Sequence, residues 1–150
     1  MIYLTSGQDL TPDKYHANGH GTPYLTGASN INSGSVIINR WTVEPRAVAI
    51  KGDLLITCKG TVGAMAFLQC EKAHIARQIM SIRIGKLLCS EFIHSFLEAY
   101  LVTLKAAAKS MIPGISREDL LTIIFPLPPA SEQHRIANYI NSLLSICHRL

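Results

Sequence analysis

A lysine, a threonine and two glycines lie between apolar runs as Lys59-Gly60-Thr61-Val62-Gly63, within "GDLLITCKGTVGAMAFL". These are the ingredients of a phosphate cradle. A nucleotide-binding P-loop needs G-x-x-x-x-G-K-[ST] between a strand and a helix, so that the helix N-terminus faces the phosphates. Here the lysine precedes the glycines, and the "AMAFLQ" that follows is apolar and alternating, which suits a second strand. The order argues against nucleotide chemistry and predicts a hairpin tip, where glycines adopt backbone angles other residues resist and let another backbone approach closely. As a plain turn the tip needs no ligand. With Lys59, Thr61 and free backbone N–H groups exposed, it can also contact a nucleic-acid phosphate.

Other chemistry is thin. His16 and His20 have helical i, i+4 spacing, but they sit in "HANGHG", whose glycines and asparagine break a helix, so they read as loop residues rather than metal ligands. His74, His94, His134 and His148 are scattered, without cysteine or carboxylate at ligand spacing, and no metal centre is expected. No G-x-S-x-G elbow is present, and no cysteine carries a recognisable nucleophile signature. Glu118, Asp119 and Glu132 fall at helix N-termini, where the dipole favours them without any catalytic role. An enzyme is not indicated.

The basic residues are more informative. In "HIARQIMSIRIG" strand periodicity places Arg77, Ile79, Ser81 and Arg83 on one face, with Met80, Ile82 and Ile84 on the other, so one face is expected to be core and the other polar. Arg77 and Gln78 have the side chains suited to bidentate contacts with guanine and adenine edges, although adjacent strand positions point to opposite faces. A solvated strand face explains the same residues without a ligand.

These groups need a scaffold, and composition bounds it. A chain of 150 residues with 48% hydrophobic content supports one sizeable core and one compact domain. The formal charge of +4 with only 16% charged residues implies a localised basic face, not a disordered polycation. Cys58, Cys70, Cys89 and Cys147 are widely spaced without a C-x-x-C pair, so they are expected to be reduced core residues of a cytosolic protein. No apolar run reaches membrane-spanning length.

Along the chain, residues 1 to 35 are rich in Gly, Asn, Ser, Thr and His and read as loop-dominated. From Ser35 to Gly85, short β-branched runs bounded by turn signals predict a mostly antiparallel sheet. The period then changes: Phe92, Ile93, Phe96, Leu97, Tyr100, Leu101 and Leu104 predict an amphipathic helix over residues 90 to 108. "KSMIPGIS" is a loop, "SREDLL" a short helix capped by Ser116, and "TIIFPLPP" a strand that its prolines confine to an edge or end. A last helix starts near Ser131. Its seam of Ile136, Ile140, Leu143, Cys147 and Leu150 follows a 4-3-4-3 pattern suited to lengthwise packing on another helix, while Ala137 and Leu144 widen the stripe and allow docking on the domain's own core.

The ordered series "GTPYLTGASNINSG", "GDLLITCKGTVG", "IARQIMSIRI" and "MIPGISREDLLTIIFPLPPASEQHRIA" resembles the target-recognition domain of the DNA specificity subunit of type I restriction-modification systems. The closing "PLPPASEQHRI" resembles that family's P-L-P-P-x-x-E-Q-x-x-I at the start of its conserved helix. The resemblance implies a non-catalytic DNA reader without cofactors. In that family each recognition domain reads half of a bipartite target, while helices space two such domains and dock the methyltransferase subunits. Methylation and cleavage belong to the partner subunits. One recognition domain and about half a helix are present, so a fragment or half-length subunit is expected, and with the family's usual segment ahead of "LTSGQ" missing, a first strand is expected to be absent.

The expected fold is α+β: a twisted, mostly antiparallel sheet with flanking helices, residues 1–129 forming the recognition domain and 130–150 the start of a spacer helix. The expected function is duplex DNA recognition in the cytoplasm, with methyltransferase and restriction subunits as partners and a homodimer through the last helix open. Lys59, Thr61, Lys109 and Ser116 are the phosphate-side candidates; Asn30, Asn32, Arg77 and Gln78 are the base-side candidates, chosen on side-chain chemistry and loop position. The competing reading is a protein-interaction module that recruits partners through its helix and binds little DNA.

Overall fold

The computed structural model describes residues 1–107 and 114–147. Its strands are β1 (Ile2–Ser6), β2 (Thr22–Leu25), β3 (Ile31–Asn32), β4 (Ser35–Val36), β5 (Trp41–Thr42), β6 (Val48–Ile50), β7 (Leu54–Thr57), β8 (Met65–Phe67), β9 (Lys72–Ile75) and β10 (Ile79–Ile84). Its helices are α1 (Ser90–Ala107), α2 (Arg117–Leu121) and α3 (Ala130–Cys147). The strands build two four-stranded sheets rather than one, in the orders β1-β10-β7-β8 and β5-β2-β9-β6, and β3 and β4 form a separate hairpin. All pairings are antiparallel except β2 with β9, which are parallel. A strand does occupy the first position: β1 pairs with β10 along its whole length, from Ile2 opposite Ile84 to Ser6 opposite Met80.

The layers explain why the apolar runs lack clean alternation. Leu54, Ile56, Met80 and Ile82 face a core completed by Ile93, Leu97 and Leu101 of α1. Leu55 and Ile79 point the other way, into a second core shared with Leu25, Ala49, Ala73 and Ile75. The sheet containing β7 and β10 is therefore covered on both sides, by α1 and by the other sheet, and a strand buried on both faces reads as a continuous apolar run. The polar, solvated face expected on β10 does not exist: Ile79 and Ser81 are buried, and Ser81 Oγ donates to Asp53 Oδ2 at 2.8 Å.

Asp53 is a buried carboxylate inside this sandwich. Arg83 donates to it through Nε and Nη2 at 2.9 and 3.0 Å, and the Ile50 N–H donates at 3.0 Å. Burial pushes its pKa up, but these donors outweigh that and hold the carboxyl below its usual range. His74 is a second buried polar anchor. Its Nδ1 accepts the Arg46 and Ala47 N–H groups at 3.2 and 3.1 Å, which places the ring proton on Nε2, facing Gln8 O at 2.8 Å. Burial depresses its pKa and keeps the ring neutral.

The segment predicted as an edge strand, "TIIFPLPP", forms no strand. Pro126, Pro128 and Pro129 supply no ladder donors, and the segment instead crosses α1 irregularly, with Ile123 and Phe125 packed inward and Ile124 exposed. Phe125 meets Phe96 and Phe92 edge-on, with centroids 4.5 and 5.6 Å apart. The first half of α3 packs on α1 through Ala137 and Ile136, beside Cys89 and Phe92. Gln133 fixes that junction, its Oε1 accepting the Cys89 N–H and its Nε2 donating to Pro128 O, both at 2.9 Å.

The seam predicted for α3 is thus split. Ile136 and Ile140 line a cleft with Phe92 and Phe96, whereas Leu143, Leu144, Ile146 and Cys147 are exposed; Leu150 lies outside the described residues. Cys58 and Cys89 are buried as expected, but Cys147 is not a core residue. No helix among the described residues is long and apolar enough to cross a membrane.

Candidate nucleic-acid interface

Strand register brings four connections to one end of the molecule. Parallel pairing sets Leu25 of β2 opposite Ile75 of β9, so the turns leaving both strands emerge side by side. Antiparallel pairing sets Thr57 of β7 opposite Ile79 of β10, so the loop leaving β7 meets the turn entering β10. The fourth is the run into α2, tied on where the Ile115 N–H donates to Cys58 O at 2.8 Å.

The Lys-Gly-Thr knot is the tip of the β7–β8 hairpin, as its order predicts. Gly60 and Gly63 take φ of +73° and +87°, values that L side chains resist. Thr57 locks the loop from below: its Oγ1 donates to Thr61 O at 2.6 Å and accepts the Ala64 N–H at 2.9 Å. Lys59 and Thr61 are left exposed at the tip, and among the described residues the Lys59 ammonium forms no salt bridge.

Arg77 and Gln78 form the adjoining turn, ahead of β10 rather than within it, so strand alternation does not separate them. The Cys58 N–H donates to Gln78 O at 2.8 Å, and the Cys58 thiol reaches Arg77 O at 3.5 Å. Gln78 lies over the turn that follows β2: a Cβ added at Gly27 would sit 2.3 Å from Gln78 Oε1, so glycine is what admits the amide there. A Cβ at Gly60 would lie 3.9 Å from the same oxygen, and one at Gly114 would lie 3.8 Å from Lys59 Cγ. Gln78 thus neighbours Gly27 and Gly60, and Lys59 neighbours Gly114.

The other expected residues sort differently. Asn30 is 0% exposed and cannot reach a base from this position. Its Oδ1 accepts from the Thr26 N–H, Thr26 Oγ1 and the Gly27 N–H at 2.8, 3.1 and 3.3 Å, while Nδ2 donates to Ile37 O and Asn39 Oδ1 at 2.8 and 3.3 Å. It is the internal tie of the Gly27 turn. Asn32 is exposed but stands on the separate β3–β4 hairpin, where Ser33 Oγ donates to its Oδ1 at 3.2 Å. A cleft of about 430 Å³, lined by Ile31, Ser33, Gly34, Gly63 and His94 among others, lies between that hairpin and the β7–β8 loop.

Ser116 reaches the cluster's edge and is exposed, but it also caps α2: the Asp119 N–H donates to Ser116 Oγ at 3.1 Å and the Ser116 N–H to Asp119 Oδ2 at 2.7 Å. That reciprocal pair holds the Asp119 carboxyl below its usual range. Lys109 lies outside the described residues. Sequence reasoning missed Asp9, whose carboxylate meets Arg77 Nε at 2.8 Å and accepts the Arg77 N–H at 3.0 Å. The two are 68 positions apart, and no local pattern announces the contact. Among the described residues no group of three or more His, Cys, Asp or Glu is placed to hold a metal ion.

A two-sheet α+β scaffold thus gathers the exposed Lys59, Thr61, Arg77 and Gln78 side chains at one loop-built end. Comparison with known proteins gives the family. The family model for the type I restriction modification DNA specificity domain matches residues 6–150, and the chain belongs to that family. A protein of Methanocaldococcus jannaschii described as a type I restriction enzyme MjaX specificity subunit is 28% identical over 93% of this chain and 33% of its own length. The HsdS subunit from Thermoanaerobacter tengcongensis superposes with a TM-score of 0.84 at 25% identity, over 96% of this chain and 35% of that one. A chain from a structure of a type I R-M system complex gives 0.86 at 25% identity, over 96% and 36%. The chain spans about a third of the length of these relatives.

Proposed function

We propose that this chain binds duplex DNA sequence-specifically through the loop-built end and reads one half of a bipartite target for a type I restriction-modification complex. The observation that carries the reading is the convergence of Lys59, Thr61, Arg77, Gln78 and the Ser116 loop on one end, placed by strand register and backbone hydrogen bonds. Lys59, Thr61 and Ser116 are assigned to phosphates, joined by Lys109 from sequence, and Arg77 and Gln78 to base edges; Asn32 is a contact from the flanking hairpin. The chain itself is non-catalytic. Residues 1–129 act as the recognition domain, and 130–150 begin the helix that spaces it from a second one. Methyltransferase and restriction subunits of the same system are its protein partners, and it works with them in the cytoplasm.

A specific observation favours a second reading, recruitment through the helix. Leu143, Leu144 and Ile146 of α3 are 46%, 45% and 56% exposed on a single helix end, which suits a partner helix or a second copy of this chain.

The test is a salt titration of duplex binding. A half-site reader should bind weakly by itself, with log K falling by roughly 0.9 per phosphate neutralised for each unit of log salt. Lys59→Ala should shallow the slope by about one unit without changing preference, and Gln78→Ala should flatten preference while keeping the slope. Absence of parent binding at low salt refutes the reading; variants that all behave alike refute the residue assignment.

A further inference from the structure

Among the exposed cations of the loop-built end that lie in the described residues, Arg77 alone is held by a carboxylate. Asp9 follows β1 and enters this end because the Gly7 and Gln8 N–H groups donate to Ile79 O and Ile75 O at 3.1 and 2.9 Å. The Leu10 N–H donates to the Tyr24 hydroxyl oxygen at 3.3 Å, which ties the segment down on its other side. One Asp9 oxygen accepts the Arg77 backbone N–H and the other meets Nε, so a single carboxylate grips both ends of the residue.

The electrostatic sign of this arrangement is informative. A carboxylate at a DNA-facing end lowers affinity for every duplex, because it repels phosphates and offsets one of the few cations there. A surface built only for affinity gains nothing from it. The carboxylate lies against Nε as an ion pair, and neither Nη group has a hydrogen-bond partner among the described residues, so the two form a two-donor fork; the side chains remain 68% exposed at Arg77 and 45% at Asp9. That fork matches the O6 and N7 acceptors of guanine in the major groove. Held by the ion pair and by the backbone hydrogen bond to the same carboxylate, the long arginine side chain also has fewer ways to settle on a phosphate instead.

We infer that Asp9 is a positioning residue for specificity: it orients Arg77 for one guanine-containing base pair and exchanges general DNA affinity for discrimination at that pair. The inference rests on the proposed DNA-reading function and adds to it the residue that sets Arg77's aim.

The test uses the full chain and a pool of random-sequence duplexes, followed by the best selected duplex and its single-base-pair variants. A bidentate arginine contact discriminates by about 5- to 150-fold at its base pair. Arg77→Ala should abolish that discrimination at one pair. Asp9→Ala should lower it at the same pair while raising affinity for unselected duplex, and the double variant should be no less selective there than Arg77→Ala. Asp9→Asn, which retains the shape, should also raise general affinity, so a folding defect in one variant does not decide the matter. If Asp9 variants weaken all duplexes equally, keep the preference, or flatten a different pair, the inference is overturned while DNA reading stands. If the parent selects no sequence, the DNA-reading function falls and the inference falls with it.

Discussion

Gln133 is 2% exposed and joins three parts of the chain, so its replacement has a magnitude that follows from the structure. Gln133→Ala removes the acceptor of the Cys89 N–H and the donor to Pro128 O. A buried group left without its partner costs about 1–3 kcal/mol, and two such groups together with the lost packing give about 2–4 kcal/mol. For a chain of this size that is a fall in Tm of roughly 5–15 °C. Gln133→Glu separates the two bonds. Its carboxylate still accepts from Cys89, but its second oxygen faces the Pro128 carbonyl with no proton between them. That variant should be destabilised at neutral pH and should recover relative to parent as pH falls, because the protonated acid donates where the amide did. Urea unfolding followed by circular dichroism at pH 7 and pH 5 measures both effects. A Gln133→Ala protein within about 0.5 kcal/mol of parent, the range of an ordinary surface change, would refute the claim that this residue fastens α3 to the domain.

Further outcomes follow from the other anchors. A depressed His74 is charged less readily in the folded state than in the unfolded one, so its contribution is complete above the ordinary value of 6.5 and is lost as pH falls below it; stability measured from pH 7.5 to 5 should decline, and His74→Gln should flatten that decline. Asp53 acts lower on the scale: its contribution is complete above the ordinary 3.8 and is lost as pH falls through its depressed value, and Asp53→Ala should cost about 2–4 kcal/mol by stranding Arg83 and Ser81. Gly27→Ala displaces only the flexible end of Gln78, so it should leave Tm nearly unchanged yet copy Gln78→Ala in base preference when duplex binding is measured. Leu143→Lys with Ile146→Lys should abolish any self-association seen by light scattering while the Tm stays within a few degrees of parent, since both side chains are exposed.

The local features were legible in the sequence and the long-range ones were not. The period of α1, the Ser116 cap of α2 and the hairpin order of Lys59 to Gly63 are each settled within a few residues, and the structure has all three. Two sheets were read as one because pairing β2 with β9 joins residues about 50 positions apart, and nothing in either strand names its partner. Arg77 and Gln78 were extrapolated from the strand that follows them. The backbone turns there to cross from one sheet to the other, which frees both side chains to share an end. Asn30 misled for a related reason. An asparagine in a glycine-rich loop suits base reading and turn closure equally well, and only the burial of Asn30, with its amide tied to Thr26 and Ile37, selects closure.

In the proposed function DNA meets the loop-built end. Backbone amide shifts of the full chain, recorded while a selected duplex is added at low salt, test it directly. The largest changes should fall at residues 26–30, 59–63, 77–78 and 114–116, with α3 from 138 to 147 little affected. Changes confined to α3, or none in those four connections, would contradict it.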